Sequence, residues 1–227
     1  MSNYATTVYG GNSIARATFY NRVYAWMCSG LALTAVVAVM VNHVPALKAL
    51  AMNGPFMIGS VILGLILVMA IAAGAKKMGA ALATLCFLVY AAINGFMFSG
   101  LLQIYPQATL GAAFGITAGM FAACSIYGFV TKRDLSGLGG FLFMGLIGLL
   151  IALIVNIFIA NTFLDWIINF AGVVIFTLLT AYDTQQLREY DTDPDMAPVG
   201  ALTLYLDFVN LFLYILRILG MSSASDD

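Results

Sequence analysis

The chain alternates long apolar runs with short breaks that carry Pro, Gly, Asn or charge. Seven runs stand out, at approximately Tyr24–Val44, Pro55–Ala75, Met78–Leu102, Gly111–Val130, Leu138–Ala160, Leu164–Tyr182 and Ala197–Leu219. The breaks between them are His43-Val44-Pro45, Asn53-Gly54-Pro55, Lys76-Lys77, Tyr105-Pro106, Lys132-Arg133-Asp134, Asn161 and Asp193-Pro194. A helix rising 1.5 Å per residue needs about 20 apolar residues to cross about 30 Å of hydrocarbon, and each run is close to that length. Lipid offers no partner to an unpaired backbone group, and the runs are too long and too continuously apolar for barrel strands. The pattern therefore predicts an all-α fold, a polytopic membrane bundle of seven transmembrane helices over residues 24–220. It is preceded by a polar and aromatic segment at 1–23 and followed by a short acidic tail at 221–227. The first run exceeds the roughly 7–15 residues of a signal-peptide core and is read as a retained helix.

Composition sharpens this. Of 227 residues, 63% are apolar or aromatic and 8% are charged, against about 45–50% and about 25% in soluble domains. The solvent must be lipid, and no stretch is polar enough for a separate aqueous domain. A net charge of −1 excludes the concentrated basic face that nucleic acid requires. Cys28, Cys86 and Cys124 lie far apart inside apolar runs, and His43 is the single histidine. They form no redox pair and no metal-ligand spacing. No cofactor is expected.

Orientation follows from Lys and Arg. With the N-terminus inside, Arg16, Arg22, Lys76, Lys77, Lys132, Arg133 and Arg188 are cytoplasmic, leaving Lys48 and Arg217 for the other side. The positive-inside rule then places the N-terminus in the cytoplasm, provided the number of spans is odd. A re-entrant hairpin of the last two runs would return the C-terminus inside. Gly111, Gly115 and Gly119 form two overlapping GxxxG steps, expected to pack the fourth helix within the bundle in preference to a dimer interface.

The candidate chemistry is carried by acids. Most of the ten Asp and Glu lie in breaks or the tail, but Asp207 is about 15 Å along the seventh run, ten residues after Ala197. A carboxylate near mid-membrane costs about 2.5–3.5 kcal/mol on insertion scales, which makes such a residue a functional candidate. Asp183 closes the sixth run, and if that helix continues to about Asp191 the two acids sit at similar depth on antiparallel neighbours. Two carboxyls so placed can share one proton; deprotonated, they repel each other and attract a cation. The alternative is that each pairs with a cation, since Lys76, Lys77, Lys132, Arg133 and Arg188 lie on the same predicted side.

The run Ala201-Leu-Thr-Leu-Tyr-Leu-Asp207-Phe-Val-Asn-Leu-Phe-Leu-Tyr-Ile-Leu-Arg217-Ile-Leu-Gly220, with Ala181-Tyr-Asp183-Thr-Gln185 before it, resembles the signature of the Bax inhibitor-1 family, its bacterial members above all. The resemblance covers essentially the whole membrane region. It implies a seven-helix bundle with the seventh helix central, in the bacterial inner membrane. It also implies a pH-sensitive calcium leak gated by aspartates at the positions of Asp183 and Asp207. In some members an arginine near the inner end of the second helix latches these acids; here Lys76 and Lys77 stand nearest, or Arg188 substitutes.

Three function classes follow. A cation leak would take calcium on Asp183 and Asp207, with Tyr182, Tyr205, Asn210, Asn94 and Asn156 as further oxygen donors. A regulator would bind other membrane proteins, such as a quality-control protease. Intramembrane aspartyl proteolysis is disfavoured, because the Gly-x-Gly-Asp context of such enzymes is replaced by Leu204 and Leu206 before Asp207. No span holds a mid-membrane lysine for a retinal Schiff base, and no enzyme is expected.

Overall fold

The computed structural model describes residues 2–74, 79–189 and 196–224, with side chains over 16–71, 79–188 and 196–222. The regular elements among the described residues are all helices, with no strand. The helices are α1 (Ser2–His43), α2 (Pro45–Ala51), α3 (Gly54–Gly74), α4 (Ala80–Phe98), α5 (Leu101–Ile104), α6 (Gln107–Val130), α7 (Leu138–Ile159), α8 (Thr162–Gln186) and α9 (Ala197–Ala224). Seven of their stretches are long and apolar enough to cross a membrane: Arg16–His43, Gly54–Ile71, Ala80–Ile104, Gln107–Val130, Leu138–Ile159, Thr162–Gln186 and Ala197–Ser222. These are the seven runs read from the sequence, so the chain is a multi-pass membrane protein. Large apolar side chains on the outside, such as Phe141, Met144, Ile151 and Phe158 of α7, fit a lipid surround.

The boundaries differ where polar residues tolerate a helix. α1 begins at Ser2 and runs through position 23 without a break, because nothing in the polar opening segment stops a helix. α6 starts at Gln107 directly after Pro106, which has no N–H to lose there. α8 is 25 residues long and α9 is 28, about 37 and 42 Å, so both are long enough to span fully rather than form a re-entrant hairpin. A 3-10 turn, Leu187–Glu189, extends α8; the expected continuation to Asp191 and the Asp193-Pro194 turn lie outside the described residues.

Side chains set several helix ends. Asn53 Oδ1 accepts from the Phe56 N–H at 3.1 Å, and Asn161 Oδ1 from the Leu164 N–H at 2.9 Å, the capping role of short polar side chains. Between α7 and α8, Ala160 takes a left-handed conformation (φ 51).

The chain forms two compact units. The first holds Met1–Ile104 and Leu187–Tyr205; the second holds Tyr105–Gln186 and Leu206–Asp227. In the first, α1 lies against α4 at closest range. A Cβ on Gly95 would meet the Thr34 carbonyl oxygen at 2.5 Å, and Gly30 sits under the Phe87 ring. Thr34 Oγ1 reaches the Ala91 carbonyl at 2.9 Å and the Tyr205 hydroxyl at 2.7 Å. Phe87 and Tyr90 close edge-on around the Tyr205 ring. In the second unit α8 packs on both α6 and α7, and the later part of α9 joins them. Phe208 meets Phe114 and Phe121 of α6, and Tyr214 stacks on Phe176 of α8 over Gly172. α9 is the enclosed helix: 72% of its spanning window is buried, against 17–28% for the other six. That agrees with the central seventh helix the family resemblance implies.

The glycine strip is a correction. Gly111, Gly115 and Gly119 are exposed, and a Cβ on any of them would meet nothing within 4 Å, so among the described residues of the second unit they make no close helix contact. The buried face of α6 carries Ala113, Thr117, Phe121, Ser125 and Gly128 instead. Only Gly128, outside the GxxxG steps, makes a backbone approach, onto the Ala181 carbonyl of α8.

Candidate functional site

Asp183 and Asp207 both belong to the second unit. The rotation of α8 that places Asp183 is set from its opposite side. Gly128 admits the Ala181 backbone, and Thr184 Oγ1 donates to Ser125 Oγ at 3.3 Å, so Ala181 and Thr184 face α6. Two residues beyond Ala181, about 200° round the helix, Asp183 points elsewhere. α9 is fixed by Phe208 between the α6 phenyl rings, and Asp207 precedes it. The two carboxyls meet: Asp183 and Asp207 are joined by a side-chain hydrogen bond. Asp207 is 3% exposed, whereas Asp183 is half-buried, and apart from the bond to Asp183 the Asp207 Oδ2 has no hydrogen-bond partner. Depth counting explains the match. Asp183 stands six residues before the end of the 3-10 turn, roughly 10 Å, and Asp207 about 15 Å into α9.

A hydrogen bond between two carboxyl groups requires a proton between them, since an ionised carboxylate only accepts. The arrangement can therefore hold one proton between two carboxyls in a low-dielectric site. Losing that proton would set two like charges at hydrogen-bond range.

The other expected residues are distributed more widely. Tyr182 is turned to α7: a Cβ on Gly139 would meet its hydroxyl at 2.5 Å, and Gln186 Nε2 donates to that hydroxyl at 3.1 Å. Tyr205 belongs to the first unit, completely buried and bonded to Thr34. Asn94 is in the first unit, bonding Tyr205 and the Tyr90 carbonyl. Asn210 Nδ2 donates back to the Leu206 carbonyl at 2.8 Å on its own helix. Arg188, also in the first unit, donates to the Tyr20 hydroxyl of α1. Lys76 and Lys77 lie outside the described residues. No group of three or more His, Cys, Asp and Glu that would hold a metal occurs among the described residues.

Gln185 escaped the sequence reading although it closes the Ala181–Gln185 run. Its Oε1 accepts from the Leu135 N–H at 2.7 Å and its Nε2 donates to the Arg133 carbonyl at 2.8 Å. One buried amide thus ties the α6–α7 loop to the turn of α8 that bears Asp183. The loop is braced internally too. Asp134 Oδ1 accepts from the Ser136 N–H at 2.9 Å, and this bond, with one from the Ser136 side chain, holds the Asp134 carboxyl below the usual carboxylate range. A second polar group lies at the far end of α8. Asn156 of α7 donates to Asp165, and Asn169 Nδ2 donates to the Asp165 carbonyl oxygen at 2.8 Å and to the Met221 sulfur at 3.4 Å. An asparagine inside an apolar run is the available signal, and Asn169 carries it as plainly as Asn94, Asn156 and Asn210 do.

Comparison with known proteins agrees with the architecture. The family model described as "Inhibitor of apoptosis-promoting Bax1" matches residues 16–224. The inner membrane protein YbhL of Escherichia coli K12 is 43% identical over 213 residues, covering 89% of this chain and 91% of that one. A Borreliella burgdorferi protein is 40% identical over 211 residues, covering 89% and 91%. A Streptococcus pyogenes membrane protein is 36% identical over 222 residues, covering 94% and 96%. With the model match spanning all seven apolar helices and the acidic pair on the last two, the chain belongs to the Bax inhibitor-1 family.

Proposed function

We propose that the protein is a pH-sensitive cation leak, with calcium as the transported ion, gated by the Asp183–Asp207 pair. The observation that carries this reading is the hydrogen bond between these carboxyls inside a membrane bundle. While one proton is shared, the pair is a closed polar contact. When the proton leaves, the carboxyls repel one another and offer up to four oxygens to a hard cation. Calcium takes six to eight oxygens, so water would complete its shell. That suits an ion in transit better than a resident one.

Location in the bacterial inner membrane follows the naming of YbhL as an inner membrane protein. The bias of Lys and Arg supports a cytoplasmic N-terminus.

The test is calcium flux from liposomes across a pH series. Wild-type flux should rise with pH, by up to about tenfold per unit on the steep part of the profile, following the ionised fraction. Asp207→Asn keeps the shape and cannot ionise, so its profile should be flat. A variant profile matching wild type at every pH would overturn the proposal.

A further inference from the structure

Among the described residues, and apart from the Asp183–Asp207 bond, three buried side-chain atoms have no hydrogen-bond partner: Asn169 Oδ1, Thr177 Oγ1 and Asp207 Oδ2. All are oxygens, and all belong to α8 and the later part of α9 in the second unit. Protein interiors satisfy nearly all buried polar atoms, and one left without a partner costs about 1–3 kcal/mol. Three such atoms on one helix pair call for a common explanation.

Their placement supplies one. Counting 100° per residue, Asp165, Asn169 and Asp183 lie within roughly 40° of one another on α8, beside Phe176 and Thr180, while Thr177 lies about 120° from Asp183, in the sector that Ala181 and Thr184 turn to α6. Along the axis, Asp165 to Asn169 is about 6 Å, Asn169 to Thr177 about 12 Å, and Thr177 to Asp183 about 9 Å. The orphaned oxygens therefore form a series from the Thr162 end of α8 to the acidic pair. Asn169 is 2% exposed, and its amide nitrogen is already engaged, which leaves only the acceptor side of the amide free. An amide oxygen accepts hydrogen bonds or coordinates cations; it cannot donate to an anion. The series starts beside the Asp165 carboxylate and ends at a second carboxyl oxygen, so its chemistry selects water and cations.

We infer that Asn169 and Thr177 line an aqueous path in the second unit, from Asp165 at the Thr162 end of α8 to Asp207, taken by a hydrated cation. The inference rests on the cation-leak reading for its cargo, and on the orphaned oxygens for its route. In this structure the Tyr214 ring, packed on Gly172 and Phe176, closes the stretch between Asn169 and Thr177, so the path conducts only when that ring moves.

Two measurements test it. Thr177→Val keeps the shape and deletes an oxygen that bonds nothing in the protein, so thermal stability should be unchanged or higher. Calcium flux should fall by roughly tenfold, the loss of one hydrogen bond to a charged group, and Thr177→Ser should restore it. Unchanged flux in Thr177→Val, beside an active wild type, overturns the route and leaves the leak standing. The second measurement does not depend on calcium. In a background where Cys28, Cys86 and Cys124 are replaced by serine, Asn169→Cys and Thr177→Cys should react with a positively charged, water-soluble thiol reagent. Val174→Cys, on the exposed face of the same helix, should not. Reaction at positions 169 and 177 with no wild-type flux supports the route and overturns the leak. Reaction no faster than at position 174 overturns the route.

Discussion

Gln185 uses both ends of one amide on the backbone of the α6–α7 loop, two residues past Asp183. Gln185→Leu has nearly the same volume but leaves the buried Leu135 N–H and the Arg133 carbonyl without partners. It should lower stability by about 1–3 kcal/mol in a detergent melt. Gln185→Glu keeps the acceptor for Leu135 and should lose less; equal losses would mean that the acceptor is not what matters. This residue also marks the limit of the sequence. Asp207 was legible because a charge ten residues into an apolar helix has few explanations, and Asp183 followed from counting depth. Gln185, Asn169 and Thr177 were not legible. An uncharged polar side chain costs little to place in a span, and its meaning depends on which backbone or side-chain groups face it. Tyr205 and Asn210, expected as further oxygen donors, have partners that the sequence does not announce: the Tyr205 hydroxyl bonds Thr34, and the Asn210 amide nitrogen donates to the Leu206 carbonyl.

Between helices, small residues matter by position and not by motif. The three glycines at four-residue spacing, Gly111, Gly115 and Gly119, face outward, whereas single glycines make the close approaches of the second unit. Gly128 lies on the Ala181 carbonyl, Gly139 under the Tyr182 hydroxyl and Gly172 under the Tyr214 ring. A GxxxG pattern reports that a helix face can approach another, but the face chosen depends on the partner's shape, which sequence spacing does not contain. Gly128→Ala should therefore destabilise the protein by about 1–3 kcal/mol or more, because its Cβ meets backbone that cannot swing aside. Gly115→Ala meets nothing and should be neutral or stabilising by up to about 1 kcal/mol through helix propensity. Thermal melts of the two purified variants separate them; equal destabilisation would contradict the outward placement of the strip. The spans themselves were legible throughout, because length and charge placement are enough when lipid admits only helices and closed barrels. Their ends were less so, since the polar residues 2–23 are compatible with helix as well as with loop.

For the whole molecule, the cytoplasmic N-terminus proposed from the bias of Lys and Arg would, with seven spans, put residues 131–137 on the cytoplasmic side and the end of α9 on the opposite side. A phosphatase reporter that works only outside the cytoplasm should be active when fused after Ala224 and inactive when fused after Arg133. The reverse pattern would invert the orientation. The division into two units was not legible, because α9 contributes Ala197–Tyr205 to one and the residues from Leu206 onward to the other, and hydropathy treats it as one uniform span. That division also bears on how the protein is made. Spans enter the bilayer in chain order, and α9, the most enclosed, leaves the ribosome after the other six. Until it arrives, neither unit has its full set of helices, and Thr34 and Asp183 await partners that lie downstream. Assembly thus cannot be completed progressively during synthesis. Six inserted helices wait in the membrane for the seventh, and an interruption of translation before Ala197 would leave a chain inserted but unfinished, a natural substrate for membrane proteolysis.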